Sequence, residues 1–175
     1  MRPLALFSVL ATVACGITAV GCGDVEPRQT ATLGPLRFSH PASFDRRYPS
    51  CKYMVTGVRE LCLSGVVVAS FALGPHPEVP SAMASPSGVS FRLHPASDQK
   101  PVVVAPPVRF PLSLADFNPR SRCFTRRQPC PPAEQHELFF RVTGKNYWAI
   151  AWVGRHSSEH LRAELASIIS SLRAK

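Results

Sequence analysis

Acidic residues are scarce in this chain. Asp and Glu number 11 against 20 Lys and Arg, and charged residues of both signs fill only 18% of the 175 positions. With 45% hydrophobic residues beside so little charge, the chain can bury a core and is neither disordered by composition nor a coiled coil. Its length excludes more: a (β/α)8 barrel takes roughly 250 residues, so one domain is the upper bound. Signature loops are missing as well. No G-x-S-x-G elbow, Gly-rich phosphate loop or G-x-G-x-x-G occurs, so neither a strained turn presenting a serine nucleophile nor a backbone cradle for nucleotide phosphates is encoded. Individual acids such as Asp116 and Glu137 fall in no pattern that pairs them, and solvated surface is their expected role.

Charge is wholly absent from Pro3 to Gly23, and the apolar run Leu4 to Val20 is broken only by Ser8, Thr12, Gly16 and Thr18. This is the pattern of an export signal. As a permanent span it stands at the lower limit of about 17 residues. The segment ends in Ala19-Val20-Gly21-Cys22, which resembles the lipobox of bacterial lipoproteins, with Ala19 where that family usually has Leu. The resemblance implies cleavage before Cys22 and a diacylglycerol on its sulfur, with palmitate among the acyl groups, anchoring the chain to the extracytoplasmic face of the cell membrane. Ala19 and Gly21 also satisfy the small-x-small rule of ordinary cleavage at the same bond, so a simply secreted protein is the alternative.

Cysteine arithmetic favours the lipid. Cys15 leaves with the signal, and lipid on Cys22 leaves Cys51, Cys62, Cys123 and Cys130, an even set. Ordinary secretion leaves an odd, exposed thiol in an oxidising compartment. Four cysteines allow three connectivities; the local one, Cys51 with Cys62 and Cys123 with Cys130, is the simplest. Zinc sites usually space paired cysteines by two to four residues, closer than either pair here, so disulfides are expected and no metal.

Residues 22–32 are polar or small around Pro27 and suit a flexible tether, with a single domain over 33–175. Leu36, Phe38 and His40 alternate with Arg37 and Ser39 and read as a strand ending at Pro41, followed by a loop from Phe44 to Ser50. Tyr53–Val58 and Leu61–Leu73 are strand-like, and the nearly unbroken Val66–Leu73 predicts a buried central strand. Four prolines within Gly74–Gly88 make a long loop. Val89, Phe91 and Leu93 alternate with Ser90, Arg92 and His94, predicting a strand with one buried face. Val102–Ala105 and Val108–Leu112 repeat that alternation around Pro106-Pro107, and Asn118–Pro132 reads as a further loop. Leu138–Val142 and Tyr147–Val153 flank Thr143-Gly144-Lys145-Asn146 as a hairpin. Leu161, Leu165, Ile168, Ile169 and Leu172 form one face of an amphipathic helix starting near Ser157 or Ser158. An antiparallel sheet closed by a helix packed on it gives the fold class α+β.

Phe38-Ser39-His40-Pro41-Ala42-Ser43-Phe44 resembles the opening strand of PsbP-like domains, and the final hairpin with Ile168-Ile169-Ser170-Ser171-Leu172 resembles their closing strands and helix. The resemblance covers under half of the chain. It implies an extracytoplasmic, often lipid-anchored, non-catalytic binding or assembly module. The chain departs from the family in carrying Phe44 where Trp is common, in its two cysteine pairs, and in having no obvious helix before the last.

Two constellations bear on chemistry. His156-Ser157-Ser158-Glu159-His160 matches H-x-x-E-H, in which helical histidines hold zinc and the Glu acts as base. Since the helix begins at the serine pair, His156 falls outside it and the expected role is surface. A small zinc-dependent envelope hydrolase built on His156, Glu159 and His160 is the alternative function. The second constellation is basic. Arg120, Arg122, Arg126 and Arg127 lie in or beside the Cys123–Cys130 loop, and no acid occurs from Phe117 to Ala133. Removing the leader takes Arg2 and lowers the net charge from +9 to +8. A bridged loop presents guanidiniums at reduced ordering cost. The partners this predicts are anionic lipid, an acidic wall polymer or an envelope protein; the bland reading is a solvated basic loop. Export argues against nucleic acid, and no cofactor is expected.

Overall fold

The computed structural model describes residues 26–49, 65–74, 84–96, 105–120 and 133–175. Over these the chain is mostly antiparallel β-sheet with one helix near its C-terminus, an α+β arrangement. The first strand arrives earlier than the sequence suggests. Strand β1 (Arg28–Leu33) pairs in register with β2 (Leu36–Pro41), Arg28 facing Pro41 and Leu33 facing Leu36. This corrects the tether expected over 22–32: its last five residues are sheet. Thr30 and Thr32 favour extended backbone, and Ala31 is fully buried. Gly34, at φ +58, supplies the left-handed first position that a two-residue hairpin loop needs. The C-terminal β9 (Arg173–Ala174) pairs with β2 on its other side and completes a three-stranded sheet of order β1-β2-β9.

The larger sheet has six antiparallel strands. In spatial order they are β3 (Asp45–Arg47), β4 (Val66–Ala69), β5 (Val89–Pro95), β8 (Lys145–Gly154), β7 (Ala133–Val142) and β6 (Asn118–Arg120). Two loops of the sequence reading thus contribute strands: Asp45–Arg47 from Phe44–Ser50, and Asn118–Arg120 from Asn118–Pro132. Each is short and polar and takes its conformation from a neighbour, the apolar β4 for the first and the long β7 for the second. The reverse holds at Val108–Leu112, which is no strand. Among the described residues the nearest ladder contact is an isolated bridge from the preceding Pro107 to Arg141, because Pro106, Pro107 and Pro111 remove the donors a strand requires. Val108 and Phe110 still pack against the core, and Leu112 is buried in it.

β7 and β8 form the predicted hairpin, extended and with a tighter turn. Only Thr143 and Gly144 lie between the strands, both at positive φ (48° and 79°), as a type I′ turn requires. Helix α1 (Glu159–Ser171) is capped by Ser158, whose hydroxyl accepts from the Leu161 N–H at 3.3 Å.

Two apolar layers result. Phe38 of β2, Val66 and Val68 of β4, Phe91 and Leu93 of β5 and Ala149 and Ala151 of β8 share one core with Leu165, Ile168 and Ile169 of α1. On the opposite face of the six-stranded sheet, Val67, Ala69, Ile150 and Trp152 form a second cluster. The buried strand expected over Val66–Leu73 ends at Ala69, and the four residues that form β4 are fully buried. Strand β5 departs from its one-face prediction: Ser90, Arg92 and His94 are buried along with Val89, Phe91 and Leu93.

Candidate functional site: the second sheet face and the root of the arginine loop

Because alternate residues of a strand share a face, the register places polar groups of four strands together on the second face. One cross-strand row runs Val67, Arg92, Ile150, Glu137, Asn118; the next runs Asp45, Ala69, Ser90, Trp152, Gln135, Arg120. His94 lies opposite Trp148, with ring centroids 5.2 Å apart.

The charges on this face are strongly desolvated. Arg92 is 0% exposed and Glu137 is buried. The Glu137 carboxylate accepts from the Gln135 side-chain amide and pairs with Arg120 Nε at 3.4 Å. His94 is 2% exposed; its Nδ1–H donates to the Pro95 carbonyl at 3.1 Å, which leaves Nε2 as the acceptor nitrogen, buried and without a hydrogen-bond partner among the described residues. Burial pushes the His94 imidazole down to about 4; the Pro95 carbonyl opposes the shift and the Arg92 charge adds to it. The ring is therefore neutral at pH 7.

The acids singled out from the sequence, Asp116 and Glu137, have separate partners. The Asp116 carboxylate accepts from the Ser113 N–H at 2.7 Å and the Ser113 hydroxyl at 3.1 Å, closing a capping box over the short 3-10 turn Leu114–Asp116. Asp45, at the far edge of the sheet, accepts from the Leu73 N–H at 3.0 Å and pairs with Arg47 at 3.1 Å. His156 sits in the turn after β8, outside the helix, and Glu159 and His160 open α1; all three are exposed. Among the described residues no group of three His, Cys, Asp or Glu side chains could hold a metal ion.

Of the basic constellation, Arg120 ends β6 with its side chain 50% exposed. The acid-free stretch from Phe117 to Ala133 does not leave it without an acid, because the strand register brings Glu137 to it from β7. Arg122, Arg126 and Arg127 lie outside the described residues, as do Cys22, Cys51, Cys62, Cys123 and Cys130. The ends of that segment are nonetheless fixed: it leaves β6 at Arg120 and re-enters the sheet at Ala133, the first residue of the adjacent antiparallel β7.

The sequence reading missed the buried polar row. Its signal was Tyr147–Val153, apolar at every position: a strand covered on both faces forces the second-face residues of its neighbours, Arg92 and Glu137, into the interior with it. No helix among the described residues is long and apolar enough to cross a membrane. No model of a known protein family matches the chain, and no curated protein matches it.

Proposed function

We propose that this chain is an extracytoplasmic lipoprotein, cleaved before Cys22 and lipidated there, whose domain binds an anionic envelope ligand and catalyses no reaction. The reading includes disulfides Cys51–Cys62 and Cys123–Cys130 and a C-terminal helix held on the sheet by its apolar stripe, in the manner of the PsbP-like domains that the sequence resembles. One observation carries the binding function: both ends of the segment bearing Arg122, Arg126 and Arg127 are rooted in paired strands, with Arg120 tied to the buried Glu137. A segment closed at its base loses less freedom when its guanidiniums meet an anionic surface. The same closure favours a local Cys123–Cys130 bridge.

Position along the strands supports the membrane as the first partner of that loop. Arg120 shares a cross-strand row with Asp45. Asp45 follows the turn that holds the N-terminal segment, through Ala42 N–H to the Pro27 carbonyl at 2.8 Å and Ser43 N–H to Glu26 at 3.0 Å. The four Cα–Cα steps from Cys22 to Glu26 span at most about 14 Å when fully extended. A lipid on Cys22 thus keeps this end of the domain against the bilayer.

The test is binding of the mature chain, with Cys22→Ser removing the lipid, to vesicles with and without anionic lipid at two salt concentrations. Binding is expected only to anionic vesicles and weakens as salt rises, since screening acts within about 8 Å at physiological ionic strength. Arg126→Ala/Arg127→Ala lowers it more than Arg155→Ala/Arg162→Ala. Equal effects of the two double substitutions, or indifference to salt, would reduce the loop to solvated surface.

A further inference from the structure

Among the described residues, the strand register also gathers cations without acid partners at one end of the molecule. Gly34, at the tip of the β1–β2 hairpin, lies against Tyr147: a Cβ built on it would stand 3.3 Å from the Tyr147 hydroxyl oxygen. Tyr147 is three residues beyond the tip of the β7–β8 hairpin, so both tips occupy the same end of the molecule. The Arg141 N–H donates to the Pro106 carbonyl at 2.9 Å, which brings the segment leading to Arg109 to this end too. The end therefore collects Arg37, Arg109, Arg141, Lys145 and Arg173, all exposed. Among the described residues no acid forms an ion pair with any of the five. The acids gather toward the other end, where Glu164 pairs with Arg28, Asp45 with Arg47, and Glu134 lies 3.9 Å from His136.

Two of the five break a packing rule. Arg37 of β2 and Arg173 of β9 are direct cross-strand partners. Like charges in that position repel and destabilise a sheet, and an acid at either place would stabilise it. Rules broken locally mark functional positions. Directly opposed residues have their Cβ atoms about 5 Å apart, so two guanidinium forks can close on one anion. A carboxylate, with two oxygens, is satisfied by a single fork; a phosphate has oxygens for both.

We propose that this pole binds a phosphate-bearing polymer, with Arg37 and Arg173 gripping one phosphate together and Arg109, Arg141 and Lys145 meeting its neighbours. The proposal deepens the binding-module reading and rests on it. Its surface is distinct from the arginine loop: β1, six residues or about 20 Å long, separates this pole from the tether. The lipid would hold one end of the domain at the membrane and point the basic end away from it.

Linear polyphosphate is the probe, with fluorescence anisotropy of the mature Cys22→Ser chain as the readout. Binding is expected to weaken with salt, and inorganic phosphate should compete only at far higher phosphate concentration. Arg37→Ala/Arg173→Ala lowers affinity at least tenfold, whereas Arg155→Ala/Arg162→Ala stays within about threefold. Arg37→Glu, which supplies Arg173 with an acid, abolishes binding and raises Tm, so loss of binding cannot be loss of fold. Retention of affinity in Arg37→Glu, a fall in its Tm, or phosphate competing as well as the polymer would each overturn the proposal. So would anionic vesicles bound through Arg37 and Arg173. If polyphosphate binding instead follows Arg126 and Arg127, the pole is refuted and the loop reading stands.

Discussion

Arg28 on β1 and Glu164 on α1 form an ion pair of 2.7 Å that joins the first strand to the last helix. The same guanidinium donates to the Ser39 hydroxyl at 3.0 Å and the Ser39 carbonyl at 3.2 Å, so one side chain pins β1 to both of its neighbours. These contacts add to the β1–β2 ladder and the burial of Ala31, which make the end of the expected tether structured.

Arg28→Ala is expected to loosen β1 without unfolding the domain. The pair is partly exposed, and such bridges contribute about 1 kcal/mol or less. Hydrogen exchange should accelerate at Arg28–Leu33 while exchange in β5 and β8 is unchanged. Uniform acceleration would mean that β1 is an integral part of the cooperative core.

His94 gives the fold an acid-sensitive point. Its imidazole titrates near 6.5 when exposed and at about 4 in the folded chain. Between those values the unfolded state binds the proton and is favoured. The contribution is complete above pH 6.5 and disappears as pH falls toward 4, by on the order of 3 kcal/mol. His40, buried on β2, shifts in the same direction, chiefly by burial. Urea unfolding at pH 7.5 and 4.5 should show a smaller loss of stability in His94→Gln than in the unsubstituted chain. Equal losses would remove His94 as the cause.

Thr143 occupies the left-handed region at φ 48°, where a β-branched side chain is strained. Thr143→Asn creates the Asn-Gly pair that type I′ turns prefer and should stabilise the domain by about 1 kcal/mol. For a domain of this size that is a rise in Tm of about 2–4 °C. An unchanged or lower Tm would show that Thr143 makes a compensating contact.

How far the fold could be read from the sequence depended on where each segment's conformation originates. The strands in Val66–Leu73 and Tyr147–Val153 and the C-terminal helix come from segments that carry their own pattern and were legible, although the first strand ends at Ala69. Asp45–Arg47 and Asn118–Arg120 were not, because their extended form comes from partners distant in sequence. Arg92 and Glu137 look like surface residues when each strand is read alone; they become interior only once β8 is recognised as buried on both faces. The Arg37–Arg173 apposition was illegible for the same reason, since it depends on the register of a two-residue strand.

The proposed reading, with its even set of four cysteines, predicts two disulfides in the mature chain. Non-reducing peptide mapping should recover Cys51 with Cys62 and Cys123 with Cys130, and reduction should cost about 2–5 kcal/mol per bridge. A crossed pairing would correct the connectivity alone; four free thiols in protein from an oxidising compartment would contradict the export reading.

The central claim is that a lipid on Cys22 holds this domain at a membrane, and mass spectrometry of the mature N-terminal peptide tests it most directly. The account predicts a chain beginning at Cys22 with a diacylglyceryl group on its sulfur. An N-terminus elsewhere, or an unmodified Cys22 with a free thiol, would contradict it.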